Sequence, residues 1–133
     1  MAFTGMNYLA VLVAAVAAFA FGAVWYGVLG KPWMAALGKT KDQLGSPAIP
    51  MVFAGLCQLI IAWLLAGVIG HLGEVEVGPA LLTAAFLWLG FVATTLTVNH
   101  RFQGQPWSLT VIDGGHWLGV MLVQALVIGL FGV

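Results

Sequence analysis

Long apolar runs separated by short polar breaks dominate this chain, and the breaks fall at regular distances. An α-helix rises 1.5 Å per residue, so about 20 apolar residues cross a hydrocarbon layer about 30 Å thick. Four runs have that length: 7–29, 47–70, 79–98 and 106–132. Lipid offers no partner to a free backbone group, and a helix satisfies its own, so runs of this kind are helical. The pattern predicts an all-α fold, an integral membrane four-helix transmembrane bundle forming one domain over residues 1–133.

The breaks carry matching punctuation. Ser46-Pro47 reads as an N-cap followed by proline at the first helical position, where its missing N–H costs nothing. Gly78-Pro79 and Gln105-Pro106 open the third and fourth runs in the same way. Residues 31–38 read as a short helix lying at the membrane interface, anchored by Trp33. Ala18-Phe19-Ala20 imitates a signal-peptidase site, but Met1–Tyr8 has no Lys or Arg, so the first run is expected to be retained.

Composition agrees with a lipid solvent. Only 6% of residues are charged and 62% are hydrophobic, against the roughly 25% charged residues of a soluble domain. The net charge is zero, which argues against nucleic acid as a partner. The single cysteine, Cys57, lies in an apolar run and reads as a small buried hydrophobe. Lys31, Lys39 and Lys41 fall in the first break and Arg101 in the third, while the second holds only His71, Glu74 and Glu76. Basic residues are retained on the cytoplasmic side, so both termini are expected on the periplasmic side.

Small residues recur at four-residue intervals, where helices can approach closely. Ala10, Ala14, Ala18 and Gly22 do so in the first run, Ala62, Ala66 and Gly70 in the second, and Gly115 and Gly119 in the fourth. These faces are more numerous than one four-helix monomer is expected to need, which suggests a homo-oligomer or a larger membrane complex within the lipid bilayer. Trp25, Trp33 and Trp107 read as interfacial anchors, and Trp63, Trp88 and Trp117 as packing residues.

An ionisable group inside a span is costly and faces the bundle or a cavity. Asp113 is the one carboxylate so placed, about 9 Å beyond Trp107 along the fourth helix. His116 and Gln124 share its face at 3.6 residues per turn. Thr95 and Asn99 face alike near the end of the third helix, and His100 and Arg101 follow. Asn99, His100, Arg101, Asp113, His116 and Gln124 thus form a candidate polar cluster, with Gln58 at mid-span of the second helix. Two readings stay open: polar pairs that pin the helices together, or a functional proton or cation site.

The segments Met6-Asn-Tyr-Leu-Ala-Val, Gly22-Ala-Val-Trp-Tyr-Gly27 and Lys31-Pro-Trp-Met34, with Asn99-His-Arg-Phe-Gln-Gly-Gln-Pro-Trp107 and Ile112-Asp-Gly-Gly-His-Trp117, resemble a family of small bacterial membrane proteins, domain of unknown function 1761. The resemblance extends over essentially the whole chain. It implies a four-span bacterial inner-membrane protein and no activity, with Asn99, Asp113 and His116 on positions of that family's motif.

Phosphate loops, cysteine metal spacings and nucleophile triads are absent from the sequence, so no enzyme, metal or cofactor is expected. The expected function is a non-catalytic accessory or assembly protein acting through helix–helix contacts. The alternative is an oligomeric transporter or channel with its proton or cation site at Asp113 and His116.

Overall fold

The computed structural model describes residues 3–73 and 75–132. Among these the chain is helical, with no strand: α1 (Tyr8–Leu37), α2 (Lys41–Leu44), α3 (Ala48–Leu72), α4 (Val77–Leu87), a π-helical segment (Trp88–Ala93), α5 (Thr94–Phe102) and α6 (Trp107–Phe131). Tyr8–Leu37, Ala48–Leu72, Val77–Phe102 and Trp107–Phe131 are each long and apolar enough to cross a membrane.

The ends differ from expectation for local reasons. The Asn7 side chain accepts from the Ala10 N–H at 3.1 Å and caps α1. The helix then continues past Leu29 through Lys31 and Pro32, so the separate interfacial helix expected over 31–38 is the last part of α1. A proline removes only one i→i−4 bond, here the one to Val28, and the helix resumes beyond it. It stops at Gly38, whose φ of +68° is a left-handed conformation that glycine adopts without penalty. A single unforeseen turn, α2, is capped reciprocally by Thr40 and Gln43. Pro47 and Pro106 occupy N-cap positions, so α3 and α6 each begin one residue later than expected; the Ser46 hydroxyl accepts from the Ala48 N–H at 3.3 Å. The third helix starts at Val77, with Pro79 inside its first turn.

The π-helical segment interrupts the third helix without breaking it. Its wider turn leaves carbonyls poorly served by the backbone ladder, and threonine hydroxyls bond four of them. Thr94 donates to Gly90 at 2.9 Å, Thr95 to Phe91 at 2.7 Å and Val92 at 3.0 Å, and Thr97 to Ala93 at 2.7 Å. These bonds also satisfy the hydroxyls, which have no water to turn to in an apolar setting.

Helix α6 is the centre of the arrangement, packing on α1, α3 and α4, and α1 packs on α3. The interfaces are lined by small residues: Ala10, Ala14, Ala18 and Gly22 on α1, Ala62 and Ala66 on α3, Ala80 and Ala84 on α4, and Ala125 on α6 are all buried. The small-residue rows that suggested a second copy therefore find partners within the chain. Gly115 and Gly119 meet aromatic rings of α1 and not another helix backbone. A Cβ on Gly115 would stand 2.9 Å from Trp25, and one on Gly119 would overlap the Phe21 ring. Backbones approach closely instead at Gly129, where a Cβ would lie 2.8 Å from the Val77 Cα.

Cys57 is exposed, not buried. The inward face of α3 runs through Gln58, Ala62, Leu65, Ala66 and Ile69, and the preceding residue is turned about 100° off that line.

Candidate functional site

At the end of the bundle where α6 begins, a polar network joins α1, α5 and α6. The Tyr26 hydroxyl donates to Asp113 Oδ1 at 2.7 Å. Asp113 Oδ2 lies 3.9 Å from His100 Nε2, an approach that becomes an ion pair when the ring is protonated. His100 Nδ1 is 2.8 Å from the Thr110 hydroxyl, and Arg101 Nη2 donates to that same oxygen at 3.0 Å and to the Gln105 carbonyl at 2.8 Å. With Arg101 donating, the Thr110 proton serves Nδ1 and the ring proton sits on Nε2, facing Asp113. That assignment gives the Thr110 hydroxyl a partner on each side, while Arg101 Nη1 stays buried without one. The Arg101 guanidinium lies 3.6 Å over the Trp107 ring, a stacking that suits its weakly hydrated plane.

Two indoles hold α6 on either side of Asp113. Trp25 Nε1 donates to the Ile112 carbonyl at 3.0 Å, and Trp88 Nε1 to the Gly114 carbonyl at 2.9 Å. Trp25, read from sequence as an interfacial anchor, is thus a hydrogen-bonded packing residue. Gly114 and Gly115, which follow Asp113, leave room for the two rings: an added Cβ would stand 4.0 Å from Trp88 at Gly114 and 2.9 Å from Trp25 at Gly115.

The shared face of α6 points inward: His116 and Gln124 are buried, and the Asp113 side chain is 21% exposed. His116 packs 4.8 Å from the Tyr26 ring and 4.8 Å from Trp117. Glycine at position 22 makes room for it, since a Cβ there would stand 2.7 Å from His116 Nε2. Deeper in the bundle, Gln124 Nε2 donates to the Gln58 carbonyl at 2.9 Å, and both side chains are buried. His116 Nδ1, Gln58 Oε1 and Gln124 Oε1 have no hydrogen-bond partner.

Asn99 stands apart from the cluster. It is exposed, whereas His100 is buried against α6. On an unbroken α-helix Asn99 lies about 20° from Trp88 and His100 about 120° away. The π-helical turn between them takes up one extra residue, which carries His100 onto the Trp88 face and Asn99 off it. Thr95 is likewise exposed, its hydroxyl bonded to its own helix. His71 is exposed in the last turn of α3 and Glu76 is the exposed N-cap of α4; Glu74 lies outside the described residues.

Tyr26, Trp25, Trp88 and Thr110 belong to the network and escaped sequence reasoning. A signal existed for Tyr26: apart from Tyr8 at its start, it is the only hydroxyl in α1. Among the described residues no group of three or more His, Cys, Asp or Glu is placed to hold a metal ion. Chemically, the arrangement pairs one carboxylate with a phenol and a histidine and shields them with tryptophans.

A family model described as "Protein of unknown function (DUF1761)" matches residues 9–129. No curated protein and no solved structure matches the chain.

Proposed function

This chain belongs to the DUF1761 family, and we propose that it is a non-catalytic, four-span protein of the bacterial inner membrane, serving as an accessory or assembly subunit through helix–helix contacts. The observation that carries this reading is the closure of the Asp113 network. The phenol donates to the carboxylate, the threonine hydroxyl meets both imidazole and guanidinium, and the imidazole approaches the carboxylate to 3.9 Å, which links α1, α5 and α6. A network of that kind pins helices in lipid, at about 0.6 kcal/mol per interhelical polar contact. Partner contacts then fall to the outer faces, and the third helix is the least covered of the four. Its Phe91, Thr95, Val98, Asn99 and Phe102 face outward.

Photo-crosslinking residues placed at Phe91, Thr95 and Val98 in membranes test this reading. The expected result is a discrete protein adduct, to another chain or to a second copy, that is missing when the probe sits at Val16 on α1. Adducts to lipid alone at all three positions would remove the proposal.

The lysines at 31, 39 and 41 and Arg101 lie towards one end of the bundle, which supports a cytoplasmic location for that end and periplasmic termini. A periplasm-active reporter fused after Gly132 is expected to be active, and one inserted at Gly45 silent. The reverse pattern would invert the topology.

One observation favours the alternative, an oligomeric transporter or channel with a proton or cation site at Asp113 and His116. His116, Gln58 and Gln124 extend polar groups from Asp113 into the bundle, with an unpartnered atom on each. Unsatisfied groups of this kind cost about 1–3 kcal/mol each when buried. Beyond Gln124 the interior is closed by Ile69 and Ile128, so one chain offers no through path and the reading depends on oligomerisation.

A further inference from the structure

In the middle of the bundle three buried polar side chains converge from two helices. Gln58 of α3 is 2% exposed, and His116 and Gln124 of α6 are 6% and 0% exposed. Gln58 joins the other two. Its carbonyl accepts from Gln124 Nε2 at 2.9 Å, and its side-chain amide meets His116 over Gly22 of α1. A Cβ at Gly22 would stand 2.7 Å from His116 Nε2 and 3.8 Å from Gln58 Nε2. One turn from Gly22 and from Gln58 lie Ala18 and Ala62, both fully buried, so little side-chain bulk fills the interior around the amides. Gln58 Oε1, Gln124 Oε1 and His116 Nδ1 have no hydrogen-bond partner. Gln124 cannot turn its amide over, because its oxygen would then face the Gln58 carbonyl. The N–H groups inside a helix are taken up by its own ladder. A donor for Gln124 Oε1 therefore comes from outside the chain.

We propose that Gln58, His116 and Gln124 hold internal water, which joins them into one hydrogen-bonded column. Water suits all three groups at once. It donates to each amide oxygen and meets the imidazole nitrogen as donor or acceptor, and buried waters occupy places where several polar groups lack partners. A cation fits less well, because no carboxylate stands beside the two amides. Asp113 lies about 16 Å from Gln124 along α6 and already accepts from Tyr26. Among the described residues no set of three or more His, Cys, Asp or Glu is placed to hold a metal ion there. The column starts at Asp113 and Tyr26, whose ring packs 4.8 Å from His116, and stops beyond Gln124 at Ile69 and Ile128. Water thus enters the bundle from one end only. The inference goes beyond the accessory role and does not depend on it.

Water-edited solid-state NMR of the full-length, nitrogen-15-labelled protein in lipid bilayers tests it. Magnetisation from water should reach the His116 ring and the side-chain amides of Gln58 and Gln124 sooner than the backbone amides of Ile69 and Ile128. Those two residues are as deeply buried, at 1% and 0% exposed, and close the end of the column. Gln58→Met keeps the length of the side chain and removes its polar atoms, so His116 should lose its transfer from water. If that variant fails to fold, Gln124→Met should bring the same loss at the Gln58 amide. Exchanging sodium for choline in the buffer should move none of the three resonances. Transfer to the three side chains no faster than to Ile69 and Ile128 would overturn the proposal, since it would leave them dry. So would undiminished transfer to His116 in Gln58→Met. Resonances that move with the cation would also overturn it, by putting an ion in the place of water.

Discussion

Gly129→Ala is expected to destabilise the protein by about 1–3 kcal/mol, the usual cost of overpacking a filled interior. The new Cβ would stand 2.8 Å from the Val77 Cα, 3.0 Å from the Val77 nitrogen and 3.2 Å from the Glu76 carbonyl carbon. All three are backbone atoms at the start of α4, so no side-chain rotation relieves the contact and the two helices must separate. At Gly115 and Gly119 the obstacles are the rings of Trp25 and Phe21, which can swing at smaller cost. The control is Gly27→Ala, also within a helix but with nothing within 4 Å of its added methyl. That change should be neutral or stabilising by up to about 1 kcal/mol, because alanine is the better helix former. Thermal unfolding of the two variants in detergent gives the comparison. Equal midpoints would mean that α4 and α6 are not held together at Gly129.

The second large effect is expected at Asp113. Asp113→Leu strands the Tyr26 hydroxyl, whose one hydrogen bond is to this carboxylate at 2.7 Å, and removes the group facing His100. Leaving a half-buried donor unpaired costs about 1–3 kcal/mol. Asp113→Asn keeps an oxygen that accepts from Tyr26 and should cost less. Tyr26→Phe removes the hydroxyl itself, and once Asp113 is leucine the same change should cost little. A double-mutant cycle therefore yields a coupling of about 0.5–3 kcal/mol for a real contact, and additivity would show that the bond contributes nothing. The same variants separate the two functional readings. If the network only holds helices, Asp113→Asn assembles and keeps the protein's phenotype. If Asp113 carries protons or cations, that variant assembles and loses it.

Hydropathy makes the four long helices legible because a lipid solvent leaves the chain few other options. Their ends are less so. Lys31-Pro32 reads as a stop, yet a proline forfeits one bond and the helix continues to Gly38. The inward face of α6 is legible too, since Asp113, His116 and Gln124 repeat with the period of an uninterrupted helix. Tyr26 is not, because it lies 87 residues before Asp113 in the chain and only tertiary packing brings them together. Cys57 and Gln58 differ in burial although they are neighbours with similar settings in sequence. Which of two adjacent residues turns inward depends on the helix's rotation about its own axis, and a uniformly apolar α3 does not advertise it.

The π-helical segment of Trp88–Ala93 makes residue count as important as residue identity in this part of the chain. Trp88 and His100 both bond to α6, at Gly114 and Thr110, and they can do so together only because the intervening turn holds one residue more than an α-helix would. Deleting a single residue from the outward-facing side of that turn would leave every chemical group of the network in the protein. His100 would then lie eleven residues after Trp88, about 20° from it on an unbroken helix, so the π-turn would relax to α-helix with His100 still facing α6. A chain one residue shorter here would thus keep its histidine on the face that meets α6, and a comparison with such a chain needs a one-residue gap within Trp88–Ala93 to match the two histidines.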